Sequence, residues 1–262
     1  MESFDSSSAS LAAAEAPPVL QPRRIKIVRD AILAFIFAIA LTLGLFVVGF
    51  VIALLAGWRP ESTFKATPVV MVAAVLASEI PFAAVAFFLR WRYRSTGRIL
   101  PVLFEGPYIS AIFIGIGAGI VMAAFGFVHA FVATKLFGSA STEAMEELMG
   151  AVLDARGNPA AVSALVFSIA LLAPFCEEFL FRGAMFSSVR SSANARAAAV
   201  VSSSLFAIAH LNASMFTYYL VFGFVMCWLL SKTQTIAAPI AAHVTVNATA
   251  TIAMLLGPGP VQ

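Results

Sequence analysis

Glu177, Glu178, Arg182, His210, His243 and Asn247 are the residues whose types and spacing could do chemistry. Glu178 and Arg182 stand four apart, so on a helix they share a face with the acid N-terminal, the favourable order for an intrahelical pair. Glu177 lies about a hundred degrees round such a helix and can face elsewhere. His243 and Asn247 are also four apart, and Phe206 sits one turn before His210. Together these groups could hydrolyse a peptide bond. Glu177, helped by His210, could take a proton from water and orient it for attack. His243 and Asn247 could donate hydrogen bonds to the oxyanion that forms; losing one such donor commonly costs about 10²–10³ in rate. The same chain offers another chemistry, because Glu177, His210 and His243 make a His₂Glu set able to hold zinc with one open position. HExxH, the usual zinc-protease helix motif, is absent, and Asn247 is a poor zinc ligand.

The elements that must position these groups are membrane helices. Of 262 residues, 61% are hydrophobic and 11% charged, against about 45–50% apolar and about 25% charged in a soluble domain. This excludes an ordinary soluble enzyme, a disordered chain and a disulfide scaffold. A net charge of +3 gives no nucleic-acid footprint. A spanning helix needs roughly 20 mostly apolar residues, which fits 31–58, 66–89, 106–134, 157–176 (apolar to about Val189), and 234–256. The run 197–231 holds two shorter helices with a break at Leu211-Asn212-Ala213-Ser214. The expectation is an all-α, polytopic bundle of about seven spans, or eight, in contact with the lipid bilayer. Residues 1–25 read as a disordered cytoplasmic tail without signal-peptide features, and 26–258 as one membrane domain. Glu143–Gly150 suits a short amphipathic surface helix.

The basic residues orient the chain. Arg23, Arg24, Lys26 and Arg29 precede the first span; Arg90, Arg92, Arg94 and Arg98 follow the second; Arg182, Arg190 and Arg196 flank the turn after the fourth; Lys232 precedes the last. With the N-terminus in the cytoplasm, all of these fall at or near that side, leaving Arg59, Lys65, Lys135 and Arg156 outside. Counted from these markers, the polar groups share a depth. Glu177 is roughly 20 Å from Arg190, His210 roughly 21 Å from Arg196, and His243 and Asn247 roughly 17 and 22 Å from Lys232. Ionisable groups inside a bilayer are costly and usually functional. Pro174 and Pro239 precede Glu177 and His243 and are expected to kink their helices and widen a cavity. Glu79 is read as pairing locally, Cys176 as inert packing, and Gly115 and Gly119 as a close helix contact rather than a dimer seam.

Ala173-Pro-Phe-Cys-Glu-Glu-Phe-Leu-Phe-Arg-Gly183, with its EExxxR core, Phe206-Ala-Ile-Ala-His210 (FxxxH) and His243-Val-Thr-Val-Asn247 (HxxxN) resemble, in order, the three motifs of the CAAX-prenyl-protease-2 and bacteriocin-processing (CPBP, or ABI) family. The resemblance covers about residues 160–250. It implies an intramembrane endopeptidase of the glutamate type, with Glu177 and His210 positioning water, His243 and Asn247 stabilising the oxyanion, and Glu178 and Arg182 supporting the site. No cofactor is expected, with zinc as the alternative. The implied substrate is a membrane-associated protein or peptide, either CAAX-type or a peptide precursor, and the composition suggests a bacterial plasma membrane. Two other readings stay open: a non-catalytic immunity or scaffold protein, and a transporter whose polar groups line a path. The oligomeric state is not indicated.

Overall fold

The computed structural model describes residues 22–55, 57, 67–93, 107–138, 150, 152–153, 155 and 157–256. The segment 1–21, most of the acidic stretch 143–150, and Arg59, Lys65, Arg94, Arg98 and Arg156 lie outside the described residues. Seven long helices follow one another, and the described residues contain no strand: α1 (Pro22–Leu55), α2 (Pro68–Tyr93), α3 (Tyr108–Phe137), α4 (Pro159–Ser192), α5 (Ala195–Ala209), α6 (Phe216–Thr233) and α7 (Ala237–Leu256). Six are long and apolar enough to cross a membrane, and α5 is a shorter apolar helix. The expected bundle is therefore the observed one. α1 starts at Pro22, so residues 22–25, grouped with the tail in the sequence reading, are helical.

Local chemistry sets several ends. Asn158 caps α4, its Oδ1 accepting from the N–H groups of Ala160 and Ala161 at 3.1 and 3.2 Å, with Pro159 in the first turn. Asn194 caps α5 by accepting from Ala197 N–H at 2.8 Å. Side chains that satisfy these otherwise orphaned donors favour helix starts. The α5–α6 break falls where expected. There Leu211 adopts a positive φ of 48°, and Asn212 Oδ1 accepts from Met215 N–H at 3.1 Å and from Ser214 Oγ at 2.8 Å.

Packing fixes the directions. Arg92 of α2 pairs with Asp30 of α1 at 3.5 Å. Val28, Val189, Ala198, Cys227 and Leu230 share one apolar cluster, so the start of α1, the end of α4, the start of α5 and the end of α6 meet at one end of the bundle. Arg29, Arg92, Arg190, Arg196 and Lys232 thus gather there. α3 runs parallel to α7: a Cβ on Gly115 would lie 2.3 Å from the Ala238 carbonyl oxygen, and one on Gly119 2.6 Å from that of Ala242. The glycine pair is consumed inside the chain, by α7. Without a hydrophobic drive between helices in lipid, such close backbone contact is what holds them. Aromatic rings link the first two helices to α4: Phe181 meets Phe35 and Phe82 edge-on at 5.7 and 5.9 Å and Phe206 of α5 at 5.1 Å.

Candidate active site

α4 carries the two acids and is not a uniform helix. Pro174 has no N–H to return to the preceding turn. The stretch before it, Phe167–Leu172, is π-helical, and Ala173 N–H donates to the Ser168 carbonyl five residues back. A second π-helical stretch, Phe179–Phe186, begins directly after Glu178. Glu177 and Glu178 therefore occupy a short α-helical piece, Ala173–Glu178, between two widened ones, where the kink expected from Pro174 takes the form of π turns. Such π segments are frequent at functional sites. Pro239 does not kink α7. It stands in the first turn, where no intrahelical bond is available to lose.

Glu178 faces protein on all sides. Its Oε1 accepts from Arg182 Nη1 at 3.0 Å and from His243 Nδ1 at 2.9 Å. Arg182 is fully buried, donates from Nη2 to the Gly223 carbonyl at 3.4 Å, and lies 4.6 Å over the Phe206 ring. It is thus part of the interior, although the sequence also grouped it with the basic flank. Gly223 makes this possible, because a Cβ there would lie 2.7 Å from that of Ser203 on α5. The intrahelical pair foreseen from spacing is present, and the contact to His243, which ties α4 to α7, is an addition that spacing did not foresee. A carboxylate accepting at Nδ1 keeps the proton on that nitrogen, so neutral His243 presents Nε2 as an acceptor.

Glu177 faces the other way. Its Oε2 lies 3.9 Å from His210 Nε2 and has no hydrogen-bond partner among the described residues. His210 follows the last residue of α5, and its Nδ1 donates to the Phe206 carbonyl at 2.8 Å. That bond puts the Nε2 lone pair on the Glu177 side. The imidazole is held between rings, with Phe206 at 4.5 Å and Tyr219 stacked at 3.9 Å. Asn247 Nδ2 donates to the Ile169 carbonyl in the first π stretch at 2.9 Å.

Glu177, His210, His243 and Asn247 line one cavity of about 180 Å³, completed mainly by Ile169, Phe206, Tyr218, Tyr219, Phe222 and Met254. Glu178, Arg182 and Cys176 do not line it. Glu79 of α2 is buried and accepts from Ser78 Oγ at 3.2 Å, the local pairing expected of it, while its Oε2 has no partner among the described residues. It stands within electrostatic range of Glu177. Among the described residues no three His, Cys, Asp or Glu side chains converge as a metal ligand set. His243 gives its Nδ1 to Glu178 and His210 its Nδ1 to a carbonyl, which leaves the Nε2 lone pair of each ring free, as in a histidine that ligates zinc.

Tyr219 was not singled out in the sequence. The depth count could have found it, since it lies 13 residues before Lys232, roughly 20 Å along the helix. The Ile169 carbonyl left no such signal.

Residues 159–249, which hold all six motif residues, match the family described as Type II CAAX prenyl endopeptidase Rce1-like. The similarity to this family extends over about a third of the chain. The finding agrees with the resemblance carried by the three motifs. A curated relative from Bacillus subtilis (strain 168), named "Putative membrane peptidase YdiL", is 30% identical over 87 residues, 33% of this chain and 36% of that protein. The chain therefore spans about a third of the length of the curated relative it matches. No solved structure matches it significantly. The matched segment comprises nearly all of α4 to α7, while α1 to α3 lie outside the match.

Proposed function

We propose that this protein is an intramembrane endopeptidase that hydrolyses a peptide bond of a membrane-associated protein or peptide with water activated by Glu177 and His210. The observation that carries the reading is the approach of Glu177 Oε2 to His210 Nε2, 3.9 Å apart in the wall of a cavity shared with His243 and Asn247. A water beside both atoms gives one proton to each acceptor and turns a lone pair towards a scissile carbonyl carbon. On attack the water oxygen bonds to that carbon, the carbonyl electron pair moves to oxygen, and Glu177 takes the proton. Glu177 then returns it to the departing amide nitrogen as the C–N bond breaks. The second N–H of Asn247 is available to the oxyanion, and His243, held through Nδ1 by Glu178, lines the same cavity. Glu178 and Arg182 act from behind, holding the His243 ring. No metal takes part in this scheme.

The substrate reading extends what the family description names: a prenylated CAAX-type protein or a membrane-bound peptide precursor. Under the positive-inside rule the basic end of the bundle faces the cytoplasm with the N-terminus inside, and the Ala-rich composition favours a bacterial plasma membrane. The test is proteomics of membranes carrying wild-type protein or Glu177→Ala. Fragments that vanish in the variant are expected. If no cleavage product depends on Glu177, the non-catalytic scaffold reading takes its place.

A further inference from the structure

The proposed hydrolysis has a shortage of hydrogen-bond donors at the oxyanion. His243 Nδ1 is committed to Glu178, so its neutral ring offers only an acceptor at Nε2. Asn247 has already given one N–H to Ile169, leaving one. Two tyrosines line the same cavity, and they differ. The Tyr218 hydroxyl donates to the Met122 carbonyl at 3.5 Å. The Tyr219 hydroxyl has no hydrogen-bond partner among the described residues, and it stands within electrostatic range of Glu177. Its ring is stacked on His210 at 3.9 Å with an interplanar angle of 30° and meets Phe206 at 6.3 Å, so two neighbours hold it. Tyr219 is half-buried, with its phenol at the cavity wall. An uncommitted phenol beside the nucleophile's base is placed for something that arrives with the reaction.

We propose that Tyr219 is a further catalytic residue, whose hydroxyl donates a hydrogen bond to the oxyanion of the tetrahedral intermediate while its ring keeps His210 in register. The inference rests on the endopeptidase reading. The phenol keeps its proton throughout; the carbonyl electron pair it stabilises returns to carbon when the C–N bond breaks. With the remaining N–H of Asn247 it makes a two-donor site built from α6 and α7.

The test uses the full-length protein in proteoliposomes and a quenched fluorescent peptide spanning a scissile bond found with the Glu177→Ala comparison. Tyr219→Phe keeps the stack and removes only the hydroxyl; kcat should fall by about 10²–10³-fold with KM little changed. Affinity for a phosphinate mimic of the tetrahedral intermediate should weaken by a similar factor. Tyr219→Leu, which also removes the stack, should lose more. A Tyr219→Phe protein with wild-type kcat, or with a raised KM alone, would assign Tyr219 to packing and overturn the proposal while leaving the endopeptidase reading intact. Should Tyr219→Phe fold poorly, 4-fluorophenylalanine at position 219, which keeps the ring and cannot donate, takes its place, and an unchanged kcat there overturns the proposal equally. Absence of any Glu177-dependent cleavage would overturn both together.

Discussion

Glu177 and Glu178 are neighbours in sequence, yet they stand in opposite surroundings. On the Glu178 side, Arg182, His243 and the Gly223 carbonyl form a chain of charged and polar groups in which Glu178 and Arg182 are fully buried and only His243 reaches the cavity. On the Glu177 side the carboxylate is left without a hydrogen-bond partner among the described residues, facing His210 across open space. The difference separates what holds a site from what can react in it. A buried ion pair is a framework, costly to break from one side, even though Glu178 Oε2 and Arg182 Nε have no hydrogen-bond partner among the described residues. An unsatisfied carboxylate at the wall of a cavity is a group waiting for a ligand. One turn of helix, flanked by two π stretches, presents both.

The comparison can be broken most sharply on the reactive side. Glu177→Gln should lower kcat by about 10²–10⁴-fold, the usual range for general acid–base groups, with the thermal unfolding midpoint in detergent essentially unchanged. On the framework side the signature should reverse. Arg182→Met leaves Glu178 without its cation and should destabilise the fold by about 3–5 kcal/mol, read from unfolding in detergent, with a smaller loss of kcat in the folded protein than Glu177→Gln gives. Replacing both partners, Glu178→Gln with Arg182→Met, should recover part of that stability, because no unpaired charge is left buried. A milder effect is expected further out. Gly119→Leu presses on the Ala242 carbonyl and Thr245 and should cost about 1–3 kcal/mol through overpacking, with a lower unfolding midpoint and an altered KM as α7 shifts His243. The smallest response should come from strong chelators: under the metal-free scheme, activity stays within about twofold, as neither side of α4 depends on a bound ion.

Much of this was legible in the chain. Apolar runs of spanning length between charged residues gave the helices, because a helix must satisfy its own backbone in lipid and must reach across it. The four-residue spacing of Glu178 and Arg182 gave their pairing, since neighbours on one helix face are fixed by helix geometry. The break near Asn212 was visible, and so was the common depth of Glu177, His210, His243 and Asn247. Gly115 and Gly119 announced a close contact but not its partner; that surface turned out to be α7. Pro239 misled, because a proline's effect depends on whether it falls in the first turn or the interior of its helix, and the boundary at Ala237 was not marked sharply enough in sequence.

By itself, then, the sequence determined an all-helical membrane protein with a level of polar side chains in its last four helices and the pairing within any one of them. Only the tertiary structure decided what joins one helix to another: Glu178 to His243, Asn247 to a backbone carbonyl, and Tyr219 stacked on His210. Contacts along a helix follow from its 3.6-residue period. Contacts between helices depend on the rotation and axial offset of each, which the packing of glycines, rings and π turns sets collectively and no local spacing encodes.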